Sequence, residues 1–107
     1  MQVLESEIEQ ACVRLAKEHH CILLKIQKVR GWPDRLLLTP NGKALFLELK
    51  RSGQSLRPLQ AHFIAVLTQM GHPAQMVNSV EQFKHCLMDL LAQPGSRTGT
   101  KKGELNG

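Results

Sequence analysis

The chain has 107 residues, a formal net charge of +5 and 42% hydrophobic residues. These values fit one small globular domain with a single core, and the positive charge favours polyanionic partners. No apolar stretch approaches the roughly 20 residues of a membrane-spanning helix, and the acidic N-terminus lacks a signal-peptide apolar region, so we expect an intracellular protein. The three cysteines form no CxxC pair, which argues against a disulfide framework or a zinc site.

The first half of the chain alternates helical and strand patterns. Apolar residues at helical spacing predict an amphipathic helix over residues 3–18, and the β-like run 21–26 predicts a first strand. Residues 34–39 and 43–50 predict two strands of a hairpin, because the Asn-Gly pair between them is a strong turn signal.

The second half repeats the alternation after a loop. Helical spacing predicts a helix over residues 58–70, followed by a short strand over 73–77 and a last helix from about residue 80. The order indicates an α/β fold, an αβββαβ sandwich with a central mixed sheet flanked by helices. Residues 1–93 form the predicted domain, and 94–107 predict a flexible polar and basic tail.

Three charged residues fall where the hairpin should be apolar. Strand alternation places Glu48 and Lys50 on the same face of the second hairpin strand. Counting back from the turn pairs Leu38 with Leu45, which brings Asp34 across the hairpin to about the level of Lys50. We therefore expect two carboxylates and an ammonium close together at one end of the hairpin.

This combination suits phosphodiester hydrolysis. Two carboxylates favour a hard divalent cation, and the backbone carbonyl of Leu49 is a further candidate ligand. A cation would balance the acids Asp34 and Glu48, which are otherwise costly to bury. Lys50 could orient the nucleophile or stabilise charge on a phosphate. From the residues alone, a surface salt bridge of either acid with Lys50 is an equal alternative.

The spacing resembles a known nuclease pattern. Asp34 follows a proline, and thirteen residues separate it from Glu48-Leu49-Lys50, which matches the PD-(D/E)XK nuclease superfamily. More narrowly, G-x-P-D-R, a hairpin, F-x-E-L-K and a downstream glutamine resemble the VRR-NUC family of virus-type replication-repair nucleases. The matching residues are Gly31, Pro33, Asp34, Arg35, Phe46, Glu48, Lys50 and Gln60. The resemblance covers roughly residues 4–80 and implies a PD-(D/E)XK nuclease-like fold.

The resemblance also implies roles for individual residues. Asp34 and Glu48 would hold Mg²⁺ or Mn²⁺, and Lys50 would assist an in-line attack by water. Gln60 resembles the family's glutamine near the start of the second helix, which lies by the active site, and we count it with the catalytic residues.

A glutamate on the first helix usually completes the metal pocket in this family. Glu5, Glu7 and Glu9 compete for that position. We favour Glu5, which stands three residues before Ile8 as the family's leading glutamate does, and Glu9 is the runner-up, one turn further along the same face. For each of them, an acidic first turn that complements the helix dipole is the alternative.

Basic residues cluster in the sequence around these positions. Phosphate contacts by such groups would position a duplex without reading its sequence. The candidates for DNA binding are Lys25, Lys28, Arg30, Arg35, Arg51 and Arg57. A solvated basic face is the alternative for each. Trp32 fits either a wedge against bases or a hydrophobic lid.

The functional expectation is a metal-dependent, structure-specific endodeoxyribonuclease. Single-domain relatives in this family resemble archaeal-type Holliday junction resolvases, so we expect cleavage of four-way DNA junctions by a homodimer. We expect it in the cytoplasm of a bacterial or phage-infected cell. The alternatives are a noncatalytic nucleic-acid-binding module and a restriction-type nuclease that reads a sequence in linear duplex.

Overall fold

Three helices and four strands make up the described part of the chain, residues 5–27 and 29–95 of a computed structural model. In chain order they are α1 (Glu5–Glu18), β1 (Ile22–Lys25), β2 (Arg35–Leu38), β3 (Ala44–Leu49), α2 (Pro58–Gln69), β4 (Ala74–Val77) and α3 (Val80–Ala92). Every predicted element is present in the predicted order. None of these helices is long and apolar enough to cross a membrane. Residues 96–107 of the predicted tail lie outside the described part.

The four strands form one mixed sheet in the order β1-β2-β3-β4. Strands β1, β2 and β3 pair antiparallel, whereas β4 runs parallel to β3. Parallel neighbours need a crossover connection, and α2 provides it between β3 and β4. The α/β class and the central mixed sheet predicted from the sequence are confirmed.

The predicted hairpin register is wrong by one residue. The structure pairs Leu38 with Ala44 instead of Leu45. The physical reason is the loop, which uses the three residues 40–42 and ends on Gly42 with φ 81°. A three-residue loop with glycine in the left-handed region is a common hairpin connection, and it closes the strands one position earlier than we counted.

The corrected register changes the residue opposite Asp34. Arg35 pairs with Leu47, and continuing the ladder by one pair places Asp34 opposite Glu48 instead of Lys50. The two carboxylates therefore lie across from each other, Glu48 in β3 and Asp34 just before β2.

The hydrophobic core lies on the sheet face that α1 and α3 cover. Strand alternation places Leu37, Leu45, Leu47 and Leu49 on this face, and each is at most 4% exposed. The helices contribute residues at helical spacing: Ile8, Cys12 and Ala16 from α1, and Phe83, Cys86, Leu87 and Leu90 from α3. All three cysteines are buried and free, so they pack as small apolar side chains.

The segment before β2 packs against α2 on the other side of the sheet. Gly31 has φ 81°, and a Cβ there would lie 2.5 Å from the side chain of Leu59, so only glycine fits without displacing it. The next residue, Trp32, stacks on Phe63 of α2 with ring centroids 5.6 Å apart and meets Phe46 of β3 edge-on at 6.3 Å. This packing favours the lid over the wedge for Trp32.

Candidate active site

Asp34 and Glu48 form the acidic centre of the site. Asp34 lies just before β2, and Glu48 is in β3. The Asp34 carboxylate accepts a hydrogen bond from the backbone N–H of Leu49 at 3.0 Å, which fixes it against the neighbouring strand. The hairpin thus holds both acids without help from a flexible loop.

Burial makes two negative charges unfavourable here. Glu48 is 6% exposed, and burial followed by the nearby Asp34 charge raises its pKa to about 7, although Lys50 opposes the shift. Burial also raises the pKa of Asp34, against the lowering effect of the Leu49 N–H. The pair therefore resists holding two charges unless a cation balances them.

Lys50 lies beside the same carboxylate. Its Nζ is 3.8 Å from Glu48 Oε2, and Lys50 is 8% exposed. The ion pair considered from the sequence alone is present, but it is buried and not at the surface. A buried ammonium needs a charged or polar partner, and Glu48 supplies one.

Gln60 connects helix α2 to the acidic centre. Its Nε2 donates to Glu48 Oε2 at 3.2 Å, while its Oε1 accepts from the backbone N–H of Arg57 at 2.9 Å. The second bond satisfies a free N–H at the helix start, as the third helical residue does in a capping box. Since both ends of the amide are engaged, Gln60 presents a donor to Glu48.

The donor set fits a divalent cation. Glu48 Oε1 is buried and has no hydrogen-bond partner, so one carboxylate oxygen is left for a ligand next to Asp34. Oxygen donors of this kind suit Mg²⁺ or Mn²⁺. Within residues 5–27 and 29–95, no three His, Cys, Asp or Glu side chains converge into a metal-binding group. The preformed set is therefore two carboxylates, and the Leu49 carbonyl stays a predicted ligand.

The three candidate glutamates of α1 lie in different surroundings. The charge of Glu5 raises the pKa of both Asp34 and Glu48, which places it nearest to the acidic centre in electrostatic effect. Glu9 instead forms an ion pair with Arg35. The structure thus favours Glu5 over Glu9 and adds no argument for Glu7.

Arg35 lies in the interior, although the sequence analysis predicts that it contacts DNA. It is 6% exposed and pairs with Glu9, so α1 covers it. Strand alternation contained the signal, because Arg35 shares its face with the core residue Leu37. The sequence interpretation did not predict the Glu9–Arg35 pair.

The remaining basic candidates lie at the surface or outside the described residues. Lys25 ends β1, Arg30 lies in the segment before β2, Arg51 follows β3, and Arg57 precedes α2; all four are exposed. Lys28 is outside the described part of the chain. The described part thus keeps four of the six residues as candidates for phosphate contacts.

Comparisons with known proteins identify the family of this chain. A family model of the VRR-NUC domain matches residues 2–81. "Putative nuclease p44" of Acyrthosiphon pisum secondary endosymbiont phage 1 is 42% identical over 50 residues, 47% of this chain and 54% of that protein. The chain therefore spans about half the length of this relative. A solved VRR-NUC domain covers 78% of this chain and 94% of its own, with TM-score 0.69 and 20% identity, which shows a shared fold.

The family match extends over most of the chain and includes every residue of the acidic centre, Lys50 and Gln60. Such a match supports nuclease activity. The chain belongs to the VRR-NUC family of nucleases.

Proposed function

We propose that this protein is a metal-dependent endodeoxyribonuclease that cuts four-way DNA junctions as a homodimer. The observation that carries the proposal is Glu48 Oε1, a buried carboxylate oxygen without a hydrogen-bond partner. It lies in a centre that also holds a second acid, Asp34, and the amine of Lys50. Structural ion pairs satisfy their oxygens, whereas this arrangement keeps one for a ligand.

In the proposed mechanism, Asp34 and Glu48 hold Mg²⁺ or Mn²⁺, with the Leu49 carbonyl and Glu5 as further ligands. The cation would neutralise charge on the scissile phosphate. The ammonium of Lys50 stabilises the additional negative charge that develops on the phosphate and orients the attacking water. Gln60 holds the Glu48 carboxylate in place.

Exposed basic side chains would position the DNA. We propose phosphate contacts by Lys25, Lys28, Arg30, Arg51 and Arg57, which carry no base specificity by themselves. The net charge of +5 supports a polyanionic substrate. The relative from a phage supports a role in a bacterial or phage-infected cell, with the cytoplasm as the proposed compartment.

The size of the chain supports a branched substrate cut by two copies. A domain of about 90 residues offers little surface for separate sequence-reading segments. A four-way junction has two symmetric strands to cut, and two symmetry-related active sites match that arrangement.

A cleavage panel tests the proposal. The substrates are a four-way junction, a flap, a splayed duplex and a linear duplex, each with Mg²⁺ or Mn²⁺ and with EDTA. The wild type should cut the junction fastest and only with a cation. Lys50→Ala should lower the rate by about a hundredfold or more. Lys84→Ala is the matched control, because it removes an exposed lysine from α3 and should keep full activity.

Three results would contradict the proposal in different ways. Junctions left intact by the wild type with every cation would indicate the noncatalytic binding module. Cutting confined to one sequence, regardless of branching, would indicate a restriction-type enzyme. Equal cleavage rates for Lys50→Ala and Lys84→Ala would show that Lys50 takes no part in the reaction.

A further inference from the structure

A short loop joins the active site to helix α2. It comprises residues 51–57, between Lys50 and Pro58, and we call it the β3–α2 loop. Its two arginines, Arg51 at the start and Arg57 at the end, are both exposed. Because the loop follows Lys50 directly, the position of these two cations relative to the active site depends on how the loop is held.

The first half of the β3–α2 loop is a turn. The backbone N–H of Gln54 donates to the carbonyl of Arg51 at 3.2 Å, and this bond fixes the direction in which the chain leaves Arg51. The four residues of the turn are exposed or only half-buried, so burial in the core does not hold the turn in place. Its position therefore depends mainly on polar contacts.

Asn78, which follows β4, supplies such a contact. Its Nδ2 donates to the carbonyl of Gln54 at 3.3 Å, although the two residues are 24 positions apart along the chain. The strand register explains this approach. Leu49 pairs with Val77 in the parallel ladder, and the N–H of Lys50 donates to the carbonyl of Val77 at 2.9 Å. Continuing the ladder by one pair places Asn78 beside Lys50, where the β3–α2 loop begins.

Asn78 is itself held by the start of α3. Its backbone N–H donates to Gln82 Oε1 at 2.8 Å, and the N–H of Gln82 donates to the Oγ of Ser79, the N-cap of α3, at 3.1 Å. Asn78 is also half-buried. A side chain on a fixed backbone loses less conformational entropy when it forms a hydrogen bond than one on a mobile segment. The bond from Asn78 to Gln54 therefore joins the β3–α2 loop to the packed part of the fold.

We propose that Asn78 is a positioning residue for DNA binding, because it holds the β3–α2 loop where Arg51 and Arg57 contact phosphates beside the active site. The inference rests on the proposed function, since it takes those two arginines as phosphate contacts. Without the Asn78 bond the loop has more conformations, and binding must select among them at a cost in affinity. A neutral amide thus contributes to DNA affinity without touching DNA.

Fluorescence anisotropy with a labelled four-way junction tests the role of Asn78. All proteins carry Lys50→Ala and are titrated in EDTA at several salt concentrations, so that no DNA is cut. Asn78→Ala should weaken binding about fivefold, the value of one hydrogen bond. It should also lower the slope of log affinity against log salt toward that of the combined Arg51→Gln and Arg57→Gln substitutions. A loss of stability alone would leave this slope unchanged.

Asn41→Ala is the matched control. Asn41 also forms long-range side-chain hydrogen bonds, to the carbonyls of Leu90 and Gln93 at 2.9 and 3.1 Å, but it lies in the hairpin loop at the other end of β3. Its variant should lose stability and keep full affinity and slope. Asn78→Leu keeps most of the side-chain volume without a donor, and it should reproduce both effects of Asn78→Ala. Circular dichroism checks that each variant is folded.

A double-mutant cycle decides whether the effect of Asn78 passes through the arginines. With Arg51→Gln and Arg57→Gln already present, Asn78→Ala should weaken binding no further. Equal affinity of Asn78→Ala and Asn41→Ala, or the same loss with and without the arginines, would overturn the inference. Arginine substitutions without any effect on binding would overturn both the inference and the proposed phosphate contacts. The expected coupling in a protein whose wild type cuts no DNA would refute only the proposed nuclease activity.

Discussion

The two carboxylate oxygens of Glu48 differ in their partners. One oxygen has a hydrogen-bond donor and an ammonium beside it, and the other has neither. Gln60 and Lys50 both approach Oε2, and Oε1 is buried without a partner. Without a cation, the buried carboxylate is therefore only partly compensated, and protonation is its simplest relief. The free energy of unfolding should therefore depend measurably on pH through this single side chain.

Protein without divalent cations should lose stability as the pH rises. The pKa of Glu48 is about 7 in the folded chain against an ordinary 4.5, so between these values the folded chain binds more protons than the unfolded chain. The free energy of unfolding therefore falls through this window, and the full penalty of about 3 kcal/mol is present above it.

Urea unfolding in EDTA measures this effect. The wild type should lose stability relative to Glu48→Gln as the pH rises from 4.5 to 7, because the amide cannot ionise. If the free energy of unfolding changed with pH in the same way for both proteins, the assignment of a raised pKa to Glu48 would be contradicted.

At the scale of elements, one side chain at the start of α2 forms two hydrogen bonds with different roles. The Oε1 of Gln60 caps the helix, and its Nε2 holds Glu48. Two substitutions separate the capping of α2 from the contact with Glu48. Gln60→Ala removes both bonds, whereas Gln60→Glu keeps an acceptor for the Arg57 N–H but places a second carboxylate against Glu48.

The two Gln60 variants should exchange their order of stability with pH. At pH near 5 the introduced carboxyl can share a proton with Glu48, so Gln60→Glu should be more stable than Gln60→Ala by about 1 kcal/mol, the value of the cap. At pH near 8 the two acids repel, and Gln60→Glu should become the less stable variant. Urea unfolding in EDTA at each pH gives the free energy of unfolding of both variants. An unchanged order would mean that Gln60 does not act on Glu48.

The elements themselves could be predicted from the sequence. Hydrophobic periodicity located each helix and strand, and alternation within β3 placed Glu48 and Lys50 on one face, which lies opposite the core residues Leu45, Leu47 and Leu49. Periodicity could not fix the hairpin register, because both a two-residue and a three-residue loop are compatible with Asn41-Gly42. A shift of one position moves the residue opposite Asp34 from Leu49, the neighbour of Lys50, to Glu48.

The candidate site was predicted in part, through its acids and lysine. Motif spacing identified Asp34, Glu48, Lys50 and Gln60, but not how they are connected. The Glu9–Arg35 ion pair and the hydrogen bond from Gln60 to Glu48 depend on how helices dock onto the sheet. Local sequence contains no such information, since each of these contacts joins a helix to a different element of the sheet.

At the scale of the whole molecule, charge and apolar surface are separated. The exposed residues Arg51 and Arg57 flank the active site in the segment between β3 and α2, while Ile22, Leu24, Leu36 and Phe46 form an uncharged sheet face. α3 covers the opposite, core side of the sheet and carries the exposed Lys84. If DNA binds over the active site, Arg51 and Arg57 should contribute more than Lys84 to the affinity of the protein for DNA.

Salt dependence of DNA binding measures that contribution in the cleavage-deficient Lys50→Ala background. Each lysine or arginine that contacts a phosphate contributes about 0.9 to the slope of log affinity against log salt. Replacing Arg51 and Arg57 together by Gln should therefore reduce the slope by up to about 1.8 for a duplex arm. Lys84→Gln, which removes a charge from α3, should leave the slope unchanged, and an equal loss from Lys84→Gln would show that the DNA does not pass over the segment between β3 and α2.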